Sequence, residues 1–243
     1  MGMPRTGSTL AERFIANHSQ VVAAGELQNF DLMVQLRMSE LAVSQGRYQI
    51  QDRSYFYKNV DMFSVGESYI NSTRPRTGAT PYFIDKNPNN FVNIGAIVAA
   101  LPNAKIVHME RIPMDTCYAM FKQPFENAYE FSYDQVELAK YFAAYRKLMA
   151  HWDAVLPGRV IRLRYEDLVN DSEGTMRGLL QRLDLQWEDA CMDHRANEAA
   201  SMTPSATQVR QPIYASSIGK WRNFELQFAP LKQALQGQGI EAA

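Results

Sequence analysis

Two glycines and two hydroxyl residues near the start of the chain have the spacing of a phosphate-binding loop. Residues 2–9 read Gly-Met-Pro-Arg-Thr-Gly-Ser-Thr, which is the pattern G-x₄-G-x-[ST]. Glycines at these points let backbone N–H groups turn inward around an anion at the N-terminus of a helix. The same spacing also occurs in plain turns that precede a helix. The enclosed Arg5 and the amphipathic pattern that follows favour an anion site.

The positive charge of this loop is not where an ATP-binding loop carries it. ATP-binding loops have a Lys after the second glycine, which reaches the β- and γ-phosphates, and their hydroxyl residue ligates Mg²⁺. Here Ser8 replaces that Lys, and Arg5 inside the loop supplies the charge. A guanidinium holds phosphate or sulfate through two parallel hydrogen bonds. The pattern therefore predicts an anion-binding loop and argues against ATP chemistry.

A second candidate for chemistry is Lys86, which directly follows the predicted buried strand Tyr82–Asp85. Open α/β sheets place their ligand residues at the carboxyl ends of strands. A cation at that point can neutralise negative charge that develops on a leaving oxygen. The alternative is a surface Lys beside a helix, and the strand-end position favours function. Asp85, at the end of a strand, is placed like the aspartate that ligates Mg²⁺ in ATP-binding proteins. Because the loop lacks the lysine of an ATP-binding loop, this position is weak evidence for a Mg²⁺ site.

Composition predicts one globular domain, residues 1–243, with no internal repeat. The chain has 46% hydrophobic and 21% charged residues and a net charge of −1, so no overall field attracts nucleic acid or an anionic membrane. Cys117 and Cys191 are too few for a disulfide scaffold or a zinc site and favour a reducing cytoplasm, with a single disulfide left open. The four histidines are not grouped, and no metal is expected. Neither a membrane span nor a secretory signal is expected.

Apolar runs alternate with helical patterns, which predicts an α/β fold of three layers, with a mainly parallel sheet flanked by helices. The predicted strands are Tyr82–Asp85, Lys105–Met109 and Val160–Leu163. The predicted helices are Leu10–Asn17, Asn29–Gln45, Asn90–Leu101, one from Pro113, Tyr133–Val155, one capped by Asp171 or Ser172, a short one at Lys220–Phe224 and a C-terminal helix. The long loop 202–217 is of a kind that often carries function.

The segment Pro4-Arg5-Thr6-Gly7-Ser8-Thr9-Leu10 is similar to Pro-Arg-Ser-Gly-Thr-Thr-Leu, the loop by which sulfotransferases bind 3′-phosphoadenosine-5′-phosphosulfate (PAPS). It resembles most closely the protein-tyrosine sulfotransferases and their bacterial, helical-repeat-linked branch. Five motifs follow the family's order through Trp221. The resemblance implies a sulfotransferase fold. It also implies that a sulfuryl group moves from PAPS to a hydroxyl acceptor, with the loop on the 5′-phosphosulfate and PAP as the product.

The resemblance also implies catalytic roles for three residues. Glu26, in the pair Gly25-Glu26, takes the family's place of the base that removes the acceptor proton. Lys86, in Asp85-Lys86-Asn87-Pro88, takes the place of the residue that stabilises the transition state, and Ser205 steadies the transferring group. Without the resemblance, Glu26 would be read as a solvated surface residue.

Further residues are implied to hold the nucleotide. Arg111 matches the family's arginine for the 3′-phosphate, and Tyr165 its nucleotide-facing tyrosine, although an interior Tyr fits the sequence equally well. Residues 205–213 are similar to the family's loop Ser-x-x-Gln-Val-x-x-Pro-Val, which closes over PAPS and is followed by Lys-Trp, here Lys220-Trp221. This segment supplies the remaining implied contacts. The contacts to PAPS implied by the resemblance are Arg5, Thr6, Gly7, Ser8, Thr9, Arg111, Tyr165, Ser205, Gln208, Tyr214 and Lys220.

Two positions of the 3′-phosphate segment depart from the family pattern. Ala119 stands where the family has Ser, and Gln123 where the tyrosyl enzymes have Arg. The loss of one charge-assisted hydrogen bond costs about 1.5–3 kcal/mol unless a neighbour replaces it. Thr116 and Lys122 are the nearby candidates for replacement.

The start of the chain gives one more expectation. The family's loop follows a buried strand, whereas only Met1 precedes Gly2, so the N-terminal strand of the sheet is expected to be missing.

Two other functions stay open at this point. One is a small-molecule kinase with a phosphate loop, and the other is a catalytically inactive nucleotide-binding protein of the same fold. The acceptor is also open among tyrosyl peptide, sugar and small phenol or alcohol, because segments 27–80 and 122–135 would form its cleft. A homodimer is left open.

Overall fold

The computed structural model describes residues 1–126, 128–193 and 217–242. The strands are β1 Val21–Ala23, β2 Tyr82–Ile84, β3 Ile106–Glu110 and β4 Val160–Arg164. The helices are α1 Ser8–Ala16, α2 Asn29–Ser44, α3 Arg53–Asn59, α4 Met62–Thr77, α5 Ile94–Ala100, α6 Pro113–Phe121, α7 Gln135–Val155, α8 Tyr165–Asn170, α9 Ser172–Arg182 and α10 Ala229–Gly237. Short 3₁₀ helices cover Pro88–Asn93, Glu130–Tyr133, Asp189–Met192 and Lys220–Phe224.

The strands form two parallel pairs. β1 pairs with β2 in the register Val21 to Tyr82, and β3 pairs with β4 in the register Ile106 to Val160. Helices pack against both pairs, which confirms the predicted α/β class with parallel strands flanked by helices. All three predicted strands are present. β1 was not predicted.

The first residues of the chain lie beside β3. The Met1 ammonium donates to the Val107 carbonyl at 3.0 Å, and the Met109 N–H donates to the Met1 carbonyl at 2.9 Å. The Gly2 N–H points the other way and donates to the Pro88 carbonyl at 3.2 Å. Within the described ranges no strand lies between β2 and β3, and residues 1–2 form hydrogen bonds both to β3 and to Pro88, just beyond β2.

Three apolar clusters hold the layers together. One joins α6, α7 and α10 around Leu138 and Leu231, and the second joins α1 and α9 to β4 around Phe14. The third joins α2, α4 and α5 around Phe56 and Val65. These clusters fix the positions of the strands and helices, and so of the loops at the carboxyl ends of the strands.

Several helices differ from prediction. α3 and α4 were not predicted, although each begins at an aspartate, Asp52 or Asp61, whose carboxylate caps the helix by accepting from the N–H two residues on. The predicted helix Asn90–Leu101 is a 3₁₀ turn followed by the short α5. Asp171 caps α9 as predicted, accepting from the Gly174 N–H. No helix in the described part of the chain is both long enough and apolar enough to cross a bilayer.

Candidate functional site

The predicted anion loop opens α1 in the expected way. Gly7 is the N-terminal cap of the helix, with φ of 100°, and its carbonyl accepts from the N–H groups of Leu10 and Ala11. The N–H groups of the first helical turn therefore point out of the helix end, where the helix dipole favours an anion. The Thr6 hydroxyl donates to the Met3 carbonyl at 2.8 Å and braces the loop from inside. The Thr6 hydroxyl hydrogen is therefore already bonded within the loop.

Gly7 is required by both its backbone conformation and its neighbour. A Cβ at this position would lie 2.5 Å from Cδ2 of Tyr165, at a φ that side chains rarely adopt. Tyr165 is the first residue of α8, so its ring closes the loop from the side of β4. The structure therefore places Tyr165 against the loop, and its implied contact with the nucleotide stays a prediction.

Glu26 and Lys86 form an ion pair next to the loop. Lys86 Nζ lies 2.5 Å from Glu26 Oε1, and the side chains are 5% and 43% exposed. The ammonium is thus buried while its carboxylate partner faces the open side. Two residues beyond Lys86, the Pro88 carbonyl accepts from the Gly2 N–H, so the phosphate loop is anchored beside this pair.

Backbone and side-chain bonds hold the two loops that carry this pair. The Lys86 N–H donates to the Gly25 carbonyl at 2.9 Å, and the Asn87 amide donates to the Leu27 carbonyl at 3.2 Å. Asp85 accepts from the Leu27 N–H and from the Tyr69 hydroxyl. Burial raises the pKa of Asp85, and those hydrogen bonds oppose the rise. Asp85 therefore acts as a brace for residues 25–27.

Arg111 joins three parts of the site. Its guanidinium donates to the Arg5 carbonyl at 3.1 Å and to the Ser217 carbonyl at 2.8 Å, and it stacks on the Tyr165 ring at 4.4 Å. The Tyr165 hydroxyl lies 2.7 Å from Ser217 Oγ. Arg5 itself has φ of 68°, a strained conformation for a side-chain-bearing residue and one often kept at binding loops.

A group of cations surrounds the end of α6. Burial lowers the pKa of Lys122, and repulsion from Lys220, Arg5 and Arg111 lowers it further. The Lys122 ammonium lies 5.0 Å from the centre of the Tyr118 ring. Four positive groups thus converge on one region, as a polyanion would require.

Lys220 is held near α6 by its neighbour. The Asp115 carboxylate accepts from the Gly219 N–H at 2.9 and 3.0 Å, directly before the 3₁₀ helix Lys220–Phe224. Lys220 therefore lies close to the other cations, and its contact with the nucleotide phosphate stays a prediction. Ser205, Gln208 and Tyr214 fall outside the described residues.

The structure separates the two replacement candidates for the 3′-phosphate. The Thr116 hydroxyl donates within its own helix, to the carbonyls of Arg111 and Ile112, so it is engaged in backbone bonding. The Gln123 amide donates to the Pro124 carbonyl. Lys122 is the candidate that the structure places among the cations.

Comparison with known proteins agrees with this arrangement. The family model described as the sulfotransferase family matches residues 1–189. The chain belongs to the sulfotransferase family.

Individual relatives and structures cover most of the chain. It is similar to an uncharacterised protein of Aquifex aeolicus, 30% identical over 97% of this chain and 32% of the relative. It is also similar to the protein-tyrosine sulfotransferase of Drosophila melanogaster, 22% identical over 90% of this chain and 46% of the relative. The sulfotransferase domain of the Synechococcus PCC 7002 olefin synthase has the same fold, with a TM-score of 0.66 at 17% identity over 99% of this chain and 93% of that domain. This chain therefore spans under half the length of the two relatives.

Some residues of the site carried no recognisable sequence signal. His108 and Tyr145 are buried and in hydrogen-bond contact with each other, and Tyr145 also bonds to the Met3 backbone beneath the loop. A lone histidine and an aromatic residue at helical spacing give no local signal of such a contact. Both cysteines are buried and free. The described residues hold no group of three or more His, Cys, Asp or Glu side chains suited to a metal.

Proposed function

We propose that this sulfotransferase-family chain transfers a sulfuryl group from PAPS to a hydroxyl acceptor and releases PAP. The observation that carries the proposal is the Glu26–Lys86 pair, 2.5 Å apart beside the helix end that begins at Gly7. A base and a cation next to an anion loop are the groups that in-line sulfuryl transfer needs. We further propose that residues 1–243 act as one domain.

Each residue of the pair has its own task. Glu26 accepts the proton as the acceptor oxygen bonds to sulfur, and its half-exposed side chain faces the side from which an acceptor can arrive. Lys86 stabilises the negative charge on the bridging oxygen as the bond from sulfur to that oxygen breaks. Before the donor enters, the two opposite charges compensate each other at 2.5 Å.

The donor is held by the loop and the cations around it. The N–H groups of residues 7–9 and the Arg5 side chain bind the 5′-phosphosulfate, and Tyr165 packs against the nucleotide. Arg111, Lys122 and Lys220 bind the 3′-phosphate, with Lys122 in place of the family's Ser and Arg at positions 119 and 123. This assignment is supported by the mutual repulsion that lowers the pKa of Lys122 after burial.

Ligand binding tests the donor directly. Binding to the folded state alone raises the melting temperature, and at 100 times Kd the rise for a chain of this size is about 5–10 °C. We expect PAP to give such a rise, and AMP and Mg·ATP at the same concentration to give much less. A rise with Mg·ATP and none with PAP would replace the proposal with a kinase.

Turnover separates an active enzyme from an inactive nucleotide-binding protein. The acceptor panel should include a tyrosyl peptide, a sugar and a small phenol, since the residues that would choose among them lie in segments 27–80 and 122–135. PAP binding without transfer to any member of the panel would support an inactive protein of this fold.

A further inference from the structure

Glu12 is a buried carboxylate that the proposed mechanism does not use. It lies in α1, four residues after Ser8, so the two side chains share one face of the helix that the phosphate loop opens. The residue is only 8% exposed. Its Oε1 atom is buried and accepts no hydrogen bond from any residue within the described ranges. A buried polar atom of this kind is uncommon in folded proteins and calls for an explanation.

Lys86 lies in the wall of the same space as Glu12. A cavity of about 720 Å³ runs between β2 and β3, and Ser8, Glu12, Asp85 and Lys86 are among the residues that line it. Glu12 is carried by α1, and Lys86 follows the end of β2. Two separate segments of the chain thus bring opposite charges to one cavity, next to the helix end that begins at Gly7.

The charges around Glu12 couple it to the proposed catalytic pair. Burial raises the pKa of Glu12 to about 6, attraction from Lys86 opposes this rise, and repulsion from Glu26 adds to it. The Met1 ammonium and Arg13 also oppose the rise. Lys86 therefore compensates part of the charge of Glu12, although its ammonium bonds to Glu26.

The carboxylate of Glu12 lowers the stability of the protein at neutral pH. Because its pKa in the folded protein is about 6, above the ordinary value of 4.5, the folded state disfavours the ionised form. The stability is therefore unaffected below pH 4.5 and falls as the pH rises through 6. A glutamine would avoid this loss. Groups that reduce stability in this way are typical of functional sites.

The proposed mechanism has a use for a second acceptor beside Lys86. The Lys86 ammonium lies 2.5 Å from Glu26 Oε1, so one oxygen of the proposed base is occupied by the cation. Glu26 must part from Lys86 when it turns to an acceptor hydroxyl. A buried ammonium that loses its acceptor is costly. Glu12 Oε1 offers another acceptor, on the helix that follows the phosphate loop.

We propose that Glu12 is a positioning residue for sulfuryl transfer, as the second acceptor of the Lys86 ammonium. When Glu26 turns to the acceptor hydroxyl, Lys86 bonds to Glu12 and stays beside the phosphate loop, where the bridging oxygen leaves. The inference rests on the proposed roles of Glu26 and Lys86. It adds to them a residue for which the sequence resemblance implies no role.

Glu12→Gln tests this role, because it retains the size of the side chain and removes its charge. We expect kcat for transfer from PAPS to fall about tenfold or more at pH 7.5, the effect of losing one charge-assisted hydrogen bond, with little change in KM. As the pH drops from 7.5 to 5, the ratio of the parent's kcat to the variant's should shrink toward one, because Glu12 of the parent takes up a proton near pH 6. Glu137→Gln, at an exposed position of α7, is the matched control and should keep the parent's kcat at each pH.

Thermal unfolding separates a positioning role from a structural one. The melting temperature of Glu12→Gln at pH 7.5 should equal or exceed that of the parent, since the variant lacks the buried charge. A lower melting temperature together with a kcat ratio that does not change with pH would show that Glu12 only supports the fold, and would overturn the inference.

A double-mutant cycle tests the contact without any turnover. Lys86→Met should lower the melting temperature by at least about 2 °C less in the Glu12→Gln background than in the parent, because charges in contact are coupled. Transfer by the parent without this coupling would overturn the role of Glu12 alone. Coupling without transfer by the parent would overturn the proposed reaction, and with it the role of Glu12 in transfer, while the contact with Lys86 would stand.

Discussion

The proposed mechanism depends most on Lys86. The Lys86 side chain is 5% exposed, and its ammonium lies 2.5 Å from the Glu26 carboxylate. A positive charge is therefore fixed where little water can reach it. Hydrogen bonds from neighbouring loops keep both backbones in position, so that little reorganisation is needed when charge develops.

We expect Lys86→Met to lower kcat for sulfuryl transfer about 10²- to 10³-fold, the usual effect of removing one group that stabilises developing charge. The KM for PAPS should change much less, because the phosphates are held by other residues. Steady-state kinetics with labelled PAPS measures both constants. Lys105→Met is the control, since that lysine is exposed and paired with Asp184 on the surface. Equal kcat values for Lys86→Met and the parent would remove Lys86 from the mechanism.

Gly7 permits a second test at this scale. Gly7→Ala puts a methyl group 2.5 Å from the Tyr165 ring in a left-handed backbone conformation, so we expect PAP binding to weaken at least tenfold and the protein to lose about 1–3 kcal/mol of stability. Calorimetric titration and denaturant unfolding measure the two effects. Gly178→Ala is the matched control: nothing lies within 4 Å of its Cβ, and in the interior of α9 it should stabilise by up to about 1 kcal/mol. Unchanged PAP affinity in Gly7→Ala would contradict the role of the loop.

At the scale of elements, α6 and the segment after residue 217 form one wall of the site. Asp115 of α6 accepts from Gly219, and Tyr118 stacks on Phe224 with ring centres 6.0 Å apart. Lys122 therefore lies at the end of a helix that is held to the segment after residue 217 through Asp115 and Tyr118. In the proposed function, this position lets Lys122 bind the 3′-phosphate although position 119 is Ala.

Lys122→Met should reduce the preference of the protein for ligands that carry a 3′-phosphate. One charge-assisted hydrogen bond is worth about 1.5–3 kcal/mol, so the affinity for PAP should fall about 10- to 100-fold. The affinity for AMP, which lacks the 3′-phosphate, should stay nearly the same. Titration of both nucleotides measures the difference, and Lys140→Met, at an exposed position of α7, is the control. If the affinities for PAP and AMP fell equally, Lys122 would not be a ligand of the 3′-phosphate.

At the scale of the whole molecule, the buried His108 links stability to pH. Burial lowers its pKa from 6.5 to about 3, and repulsion from the Met1 ammonium adds to this. Because the unfolded chain takes up the proton first, stability is fully present above pH 6.5. It should fall as the pH drops from 6.5 toward 3, with a slope of up to about 1.4 kcal/mol per pH unit.

His108→Gln should flatten this dependence between pH 6 and pH 4, whatever its effect on stability at pH 7. The exposed His151→Gln is the matched control and should keep the slope of the parent. Urea unfolding at a series of pH values gives the slopes. A slope in His108→Gln equal to that of the parent would show that other groups cause the acid sensitivity.

Much of the fold and part of the site could be predicted from the sequence. The loop around Gly7, the strand before Lys86 and the helix from Pro113 each have a local signal, because turn chemistry and apolar periodicity are short-range properties. The brace formed by Asp85 and the position of Lys122 depend on contacts between segments far apart in the chain. No local pattern contains such contacts, so they required the structure.

The most direct test of the central claim is transfer from PAPS labelled with ³⁵S to the acceptor panel, by the parent protein and by Glu26→Gln. We expect a labelled product and equimolar PAP with the parent. Glu26→Gln should be at least about 10²-fold slower, because a positioned base contributes about that much. It should still bind PAP with similar affinity. Full transfer by Glu26→Gln would contradict the proposed base, and PAP binding without transfer by the parent would contradict the proposed enzyme.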